Sequence, residues 1–112
     1  MVTYLPRRGW GKGKLHRSLD STDPIVRIEA MRLLGSSGKV DPERIYPLLL
    51  DSNSKVRLAA CILLGTTASP AAVPYLVKTL ARDANQQVCR YAAWALNQIP
   101  EEPRLKQLAS FF

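Results

Sequence analysis

Val26-Arg-Ile-Glu-Ala-Met-Arg-Leu-Leu-Gly35 recurs twice without a gap, as Val56-Arg-Leu-Ala-Ala-Cys-Ile-Leu-Leu-Gly65 and as Val88-Cys-Arg-Tyr-Ala-Ala-Trp-Ala-Leu-Asn97. The starts lie 30 and 32 residues apart. Counting Val as offset 0, all three blocks carry Ala at offset 4 and Leu at offset 8. Positions i, i+4 and i+8 make one stripe of an α-helix. Alanine in its middle lets another helix approach closely, and each fully buried Val or Leu contributes about 1.5–3 kcal/mol. Offset 9 holds Gly35, Gly65 and Asn97. Both residue types tolerate the left-handed backbone that ends many helices, so each helix is expected to stop there.

Outward from the blocks, each is preceded by a turn. Asp51-Ser-Asn-Ser54 and Asp83-Ala-Asn-Gln86 put Asp five residues before the Val, and Ser21 holds that place in the first unit. Asp, Asn and Ser cap helices by accepting free backbone N–H groups. Asp41-Pro42 and Ser69-Pro70 read as N-caps followed by proline at the first helical position. They open partner helices that carry Ile45, Leu48 and Leu49, and Val73, Leu76, Val77 and Leu80. Pro47 and Pro74 fall inside these helices, either tolerated or bending them. The pattern predicts helices near 14–20, 24–35, 42–51, 54–67, 70–82, 86–98 and 102–110, with no strand.

The pattern Asp-x4-Val-Arg-x2-Ala-x3-Leu-Gly, preceded by an amphipathic helix, resembles the HEAT repeat. It is similar to the short bacterial and archaeal HEAT-like type, which includes phycobilin lyase-like repeats. The resemblance covers about residues 20–99. It implies an all-α fold: an α-solenoid of about three HEAT-like helical hairpins with a C-terminal capping helix. The units are expected at about 14–38, 39–68 and 69–99, and the cap at 101–112, with Leu105 and Leu108 inward and Phe111 and Phe112 folded onto it. The resemblance also implies a ladder between units, made by Arg27, Asp51, Arg57 and Asp83. Cys89 replaces the ladder arginine in the last unit and Ser21 the aspartate in the first.

Composition bounds the function classes. The chain has 112 residues, enough for one small domain. Its longest apolar run is far short of the roughly 20 residues that span a bilayer. The N-terminus has no apolar stretch of the secretory type. Cys61 and Cys89 are too few for a disulfide framework, and read as reduced thiols of a cytoplasmic protein. His16 is the only histidine, so no metal spacing is present. The net charge of +7 is uneven: residues 1–19 contribute +5 and the remainder +2. Residues 1–13 are read as a basic flexible tail ahead of a repeat domain at 14–112. Arg7, Arg8, Trp10, Lys12 and Lys14 are its candidate contact residues. Three roles suit it: capping the incomplete first unit, binding an acidic or phosphate surface, or keeping the chain in solution.

Repeat proteins bind along the surface of their second helices. The offsets outside the stripe that bear on such a surface are 2, 3 and 6. Their large or charged residues give the candidate partner-binding set: Ile28, Arg32, Leu58, Ile62, Arg90, Tyr91 and Trp94. Apolar and aromatic residues on an otherwise solvated face suit a protein contact, and the other reading is that some of them tuck against neighbouring helices. The expected function is a non-catalytic protein-binding scaffold, adaptor or small subunit of a larger assembly. The alternatives are nucleic-acid or ribosome binding through the tail, and a phycobilin lyase-like subunit. The acids fall at turns and caps, and Gly9-Trp-Gly-Lys-Gly13 lacks the spacing of a phosphate loop. No catalytic residue, cofactor or metal is expected. The expected partner is another protein, with nucleic acid as the second choice, no membrane, and a homodimer through the first unit as a further arrangement.

Overall fold

The computed structural model describes residues 5–110. The expectation for Phe111 and Phe112 lies outside them. Among the described residues there is no strand. The α-helices are α1 (Lys12–Ser18), α2 (Pro24–Ser37), α3 (Pro42–Ile45), α4 (Ser54–Thr67), α5 (Val73–Arg82), α6 (Gln86–Gln98) and α7 (Glu101–Ala109). Two 3-10 stretches join them: Tyr46–Leu50 prolongs α3, and Pro70–Ala72 leads into α5.

The turns work by side-chain capping. Asp23 accepts the N–H of Ile25 at 2.9 Å, Asn53 that of Lys55 at 2.8 Å, and Asn85 that of Gln87 at 2.9 Å. Pro24 and Pro42 follow their caps, where the missing N–H is not needed. Pro74 also lies in the first turn of its α-helix. Pro47 does more. The α-helix stops at Ile45 and the chain tightens into a 3-10 stretch that contains the proline.

One expectation is corrected at the helix ends. Gly35 and Gly65 do not terminate their helices, which run on to Ser37 and Thr67. The left-handed caps are Gly38, with φ 69°, and Ala68, with φ 52°. The glycines serve a different need. A Cβ on Gly35 would lie 2.9 Å from Leu63 Cδ1. One on Gly65 would meet the Trp94 ring and lie 3.0 Å from the Cα of Ala95. They allow the next unit's second helix to sit close.

The helices form two layers. The second helices α2, α4 and α6 pack side by side. Behind them, α1 packs on α2, the Tyr46–Leu50 stretch on α4, and α5 on α6, while α7 closes against α5. The result is elongated, 49 × 28 × 17 Å. The stripe of Val, Ala and Leu is buried except for Leu96, which is half-buried, and offsets 5 and 7 join it as Met31 and Leu33 in α2 and as Cys61 and Leu63 in α4. Helix α7 is a cap on one contact: Leu108 packs against the core, whereas Leu105 is 53% exposed, contrary to expectation. Arg104 compensates by donating to the Leu96 carbonyl at 3.2 Å.

Candidate protein-docking face

The units are held in register by the aspartate turns. The Asp51 carboxylate accepts the Asn53 N–H at 2.9 Å within its own turn and Arg27 Nη2 of the preceding unit, also at 2.9 Å. Arg27 Nε lies 2.9 Å from the second oxygen, off the alignment of a hydrogen bond. Asp83 repeats this with the Asn85 N–H at 2.9 Å and with Arg57 Nε at 2.8 Å and Nη2 at 3.2 Å. Each arginine also donates back to its own unit: Arg27 to the Ser21 carbonyl and Arg57 to the Asp51 carbonyl, both at 2.7 Å. Burial alone pushes the Asp83 carboxyl up. The Arg57 hydrogen bonds and the Asn85 N–H outweigh this and hold it below its ordinary value.

The two departures at the ends keep the local half of this device and drop the half that reaches a neighbour. The Ser21 hydroxyl accepts the Asp23 N–H at 3.1 Å, as the aspartates do for their turns. The Cys89 thiol donates to the Asp83 carbonyl at 3.1 Å, as the arginines do, and reaches no further.

An α-helix turns about 100° per residue, so offsets 5, 9 and 2 follow one another around one side and offset 6 comes next, further from the neighbouring helix. The first side faces the next second helix. It holds Ile28, Met31 and Gly35 in α2, and Leu58, Cys61 and Gly65 in α4. Ile28 and Leu58 are accordingly half-buried against the core and supply only the edge of the face. In α6 the same side reads Arg90, Ala93 and Asn97, polar or small, and Arg90 is exposed. Sequence reading placed offset 2 on the exposed face because it drew the buried side from the stripe at offsets 0, 4 and 8 alone. The glycines at offset 9 were the available signal.

What remains outward is offset 6, with offset 3 at its border. Ile62, Tyr91 and Trp94 are each 37% exposed. Tyr91 and Trp94 meet edge to face with ring centroids 6.2 Å apart, and the Trp94 ring lies over Gly65 of α4. These contacts join α4 and α6 into one aromatic and aliphatic strip, with Arg90 beside it. Arg32 is exposed on α2 and is bound to Glu29 by a two-pronged ion pair, with Nε at 3.0 and 3.1 Å from the carboxylate oxygens. That bond holds the Glu29 carboxyl below its ordinary value.

Residues 42–112 match the family described as HEAT repeats, which is more than half of the chain. The chain belongs to the HEAT repeat family. HEAT repeats serve in general as scaffolds for contacts between proteins, and are typically not catalysts. No curated protein matches the chain.

The basic N-terminal residues of this HEAT protein are placed differently from one another. Arg7, Arg8, Lys12 and Lys14 are exposed, but Trp10 is half-buried against the core, and Lys14 Nζ stands 4.0 Å from its ring centre. Helix α1 begins at Lys12, two residues earlier than the sequence suggested. His16 is buried and links the first two HEAT units. Its Nδ1 is 2.7 Å from the Lys12 carbonyl, and its Nε2 accepts the Asp41 N–H at 3.2 Å. Desolvation pushes the Cys61 thiol up to about 12, so it stays protonated and inert. No described helix is long and apolar enough to cross a membrane.

Proposed function

We propose that this HEAT chain is a non-catalytic scaffold, an adaptor or small subunit of a larger assembly, that holds a partner protein on the face of its second helices. The observation that carries the reading is the strip of Ile62, Tyr91 and Trp94, three large and mainly apolar side chains each more than one third exposed. Aromatic residues with arginine beside them are the usual centre of a protein interface. The acids support the non-catalytic part: Asp51 and Asp83 are committed to the ladder, and Asp23 and Asp41 to caps. Two free thiols suit the cytoplasm.

Affinity capture from the native host tests this. Wild type is expected to retain a partner that both Trp94→Ala and Ile62→Ala lose. No partner, or one kept by both variants, rejects the reading. A second reading, nucleic-acid binding, is favoured by the exposed cations Arg7, Arg8, Lys12, Lys14 and Arg17, with no acid among residues 5–19. Trp10 is already engaged by Lys14 and the core, which weighs against stacking on a base. Micromolar affinity for RNA that weakens steeply with salt would establish it.

A further inference from the structure

We propose that the first-helix layer carries a second, separate binding site: a groove between units two and three that takes an acidic peptide segment anchored by one bulky apolar side chain. Its origin is visible in the chain lengths. Pro42 and Pro70, which open the two first helices, lie 28 residues apart, whereas Val56 and Val88 of the second helices lie 32 apart. The surplus of four residues is about one helical turn. It falls within the longer first helix of unit three, Pro70–Arg82 against Pro42–Leu50. That extra turn has no equal on the unit-two segment, and a cavity of about 1050 Å³ lies along the pair.

The chemistry of the groove is polarised. Tyr46 and Tyr75 stack with centroids 3.9 Å apart and planes 9° from parallel, forming one end. Leu50 lines the groove and is 87% exposed, the most exposed large apolar side chain among the described residues. No other described residue covers it. On the α5 wall stand Lys78 and Arg82, one turn apart, exposed, and without an ion pair among the described residues. Arg57, Asp83 and Asp51 also line the groove, but the ladder neutralises them. Glu43 lies at the tyrosine end, one turn before Tyr46. A ligand therefore meets cations along α5, the exposed Leu50 side chain on the facing segment, and a carboxylate and aromatic rings at the tyrosine end. A peptide with one bulky side chain and acids on the side toward Arg82 matches all three. A polyanion laid along the whole groove would run onto Glu43.

This site is independent of the second-helix face, and one titration separates them. Amide NMR spectra are followed as the peptide Ser-Ser-Ser-Phe-Glu-Glu is added, with Ser-Ser-Ser-Phe-Lys-Lys and a single-stranded oligothymidylate as comparison probes. Saturable shifts are expected at Leu50, Lys78 and Arg82, with a Kd of about 1 mM or tighter. Leu50→Ser and Arg82→Glu should each weaken binding about fivefold or more. Both are surface changes, and the same spectra report that the fold is kept. Trp94→Ala should leave the affinity unchanged. The proposal is overturned by an absence of saturable shifts, by equal or tighter binding of the basic peptide or the oligothymidylate, or by shifts that vanish with Trp94→Ala and not with Leu50→Ser.

Discussion

Gly65 lies inside a helix, where alanine would ordinarily be more stable by about 1 kcal/mol. Here the sign reverses. The added methyl would meet the Trp94 ring and the Ala95 backbone, neither of which can step aside cheaply. Gly65→Ala is expected to destabilise the fold by about 1–3 kcal/mol in urea unfolding. Gly35→Ala, which meets only the tip of Leu63, should have a smaller effect. Equal effects at the two sites would mean that Trp94 does not rest on α4. Ala68 offers the opposite case. It holds a left-handed backbone, φ 52°, that strains any residue with a Cβ. Ala68→Gly should stabilise by about 1 kcal/mol, a gain visible in the same unfolding curves; a loss would place the strain elsewhere.

Among elements, the links between second helices are electrostatic as well as apolar. The Asp83 carboxyl is held below its ordinary value in the folded chain. The unfolded chain therefore takes up this proton first as pH falls. The contribution to stability is whole above about pH 4, the ordinary carboxyl range, and is lost as pH drops through the lower folded-state value. Urea midpoints measured from about pH 6 to pH 2 should fall more steeply for wild type than for Asp83→Asn. Parallel curves would mean the pair with Arg57 contributes nothing. Much of this level was legible in the residues. Offsets 0, 4 and 8 showed the stripe, and the resemblance to HEAT repeats implied that the Asp and Arg positions join one unit to the next. Three things were not legible. Gly35 and Gly65 served close approach, not termination, because a glycine has the same appearance in both roles. Leu58 turned inward because a second helix has two neighbours, and the stripe reveals only one. Pro47 shortened α3 into a 3-10 stretch because its effect depends on where the preceding turn can find acceptors.

At the scale of the whole molecule, three changes in the third repeat block fall where a further second helix would sit: Cys89 for arginine, Arg90 for an aliphatic residue, Asn97 for glycine. Terminal units of a solenoid are expected to be polar on their outer side. At the other end, Trp10 and buried Pro6 belong to the stretch ahead of α1, and Trp10 packs on the core. Trp10 thus lies against the first unit and polar residues face outward from the last, and light scattering is expected to report a monomer of 12.5 kDa. A mass of about twice that would instead favour a pair of chains joined through the first unit.

The most direct measurement is site-specific photo-crosslinking in the native host. A photoreactive residue replaces Thr66, which is exposed on α4 one turn from Ile62, or Glu102, which is exposed on α7 in the other layer. From position 66 an adduct with another protein should form, and the added Trp94→Ala change should abolish it. From position 102 that adduct should be absent. An adduct of equal yield from both positions, or one from position 66 that survives Trp94→Ala, would contradict a docking face on the second helices.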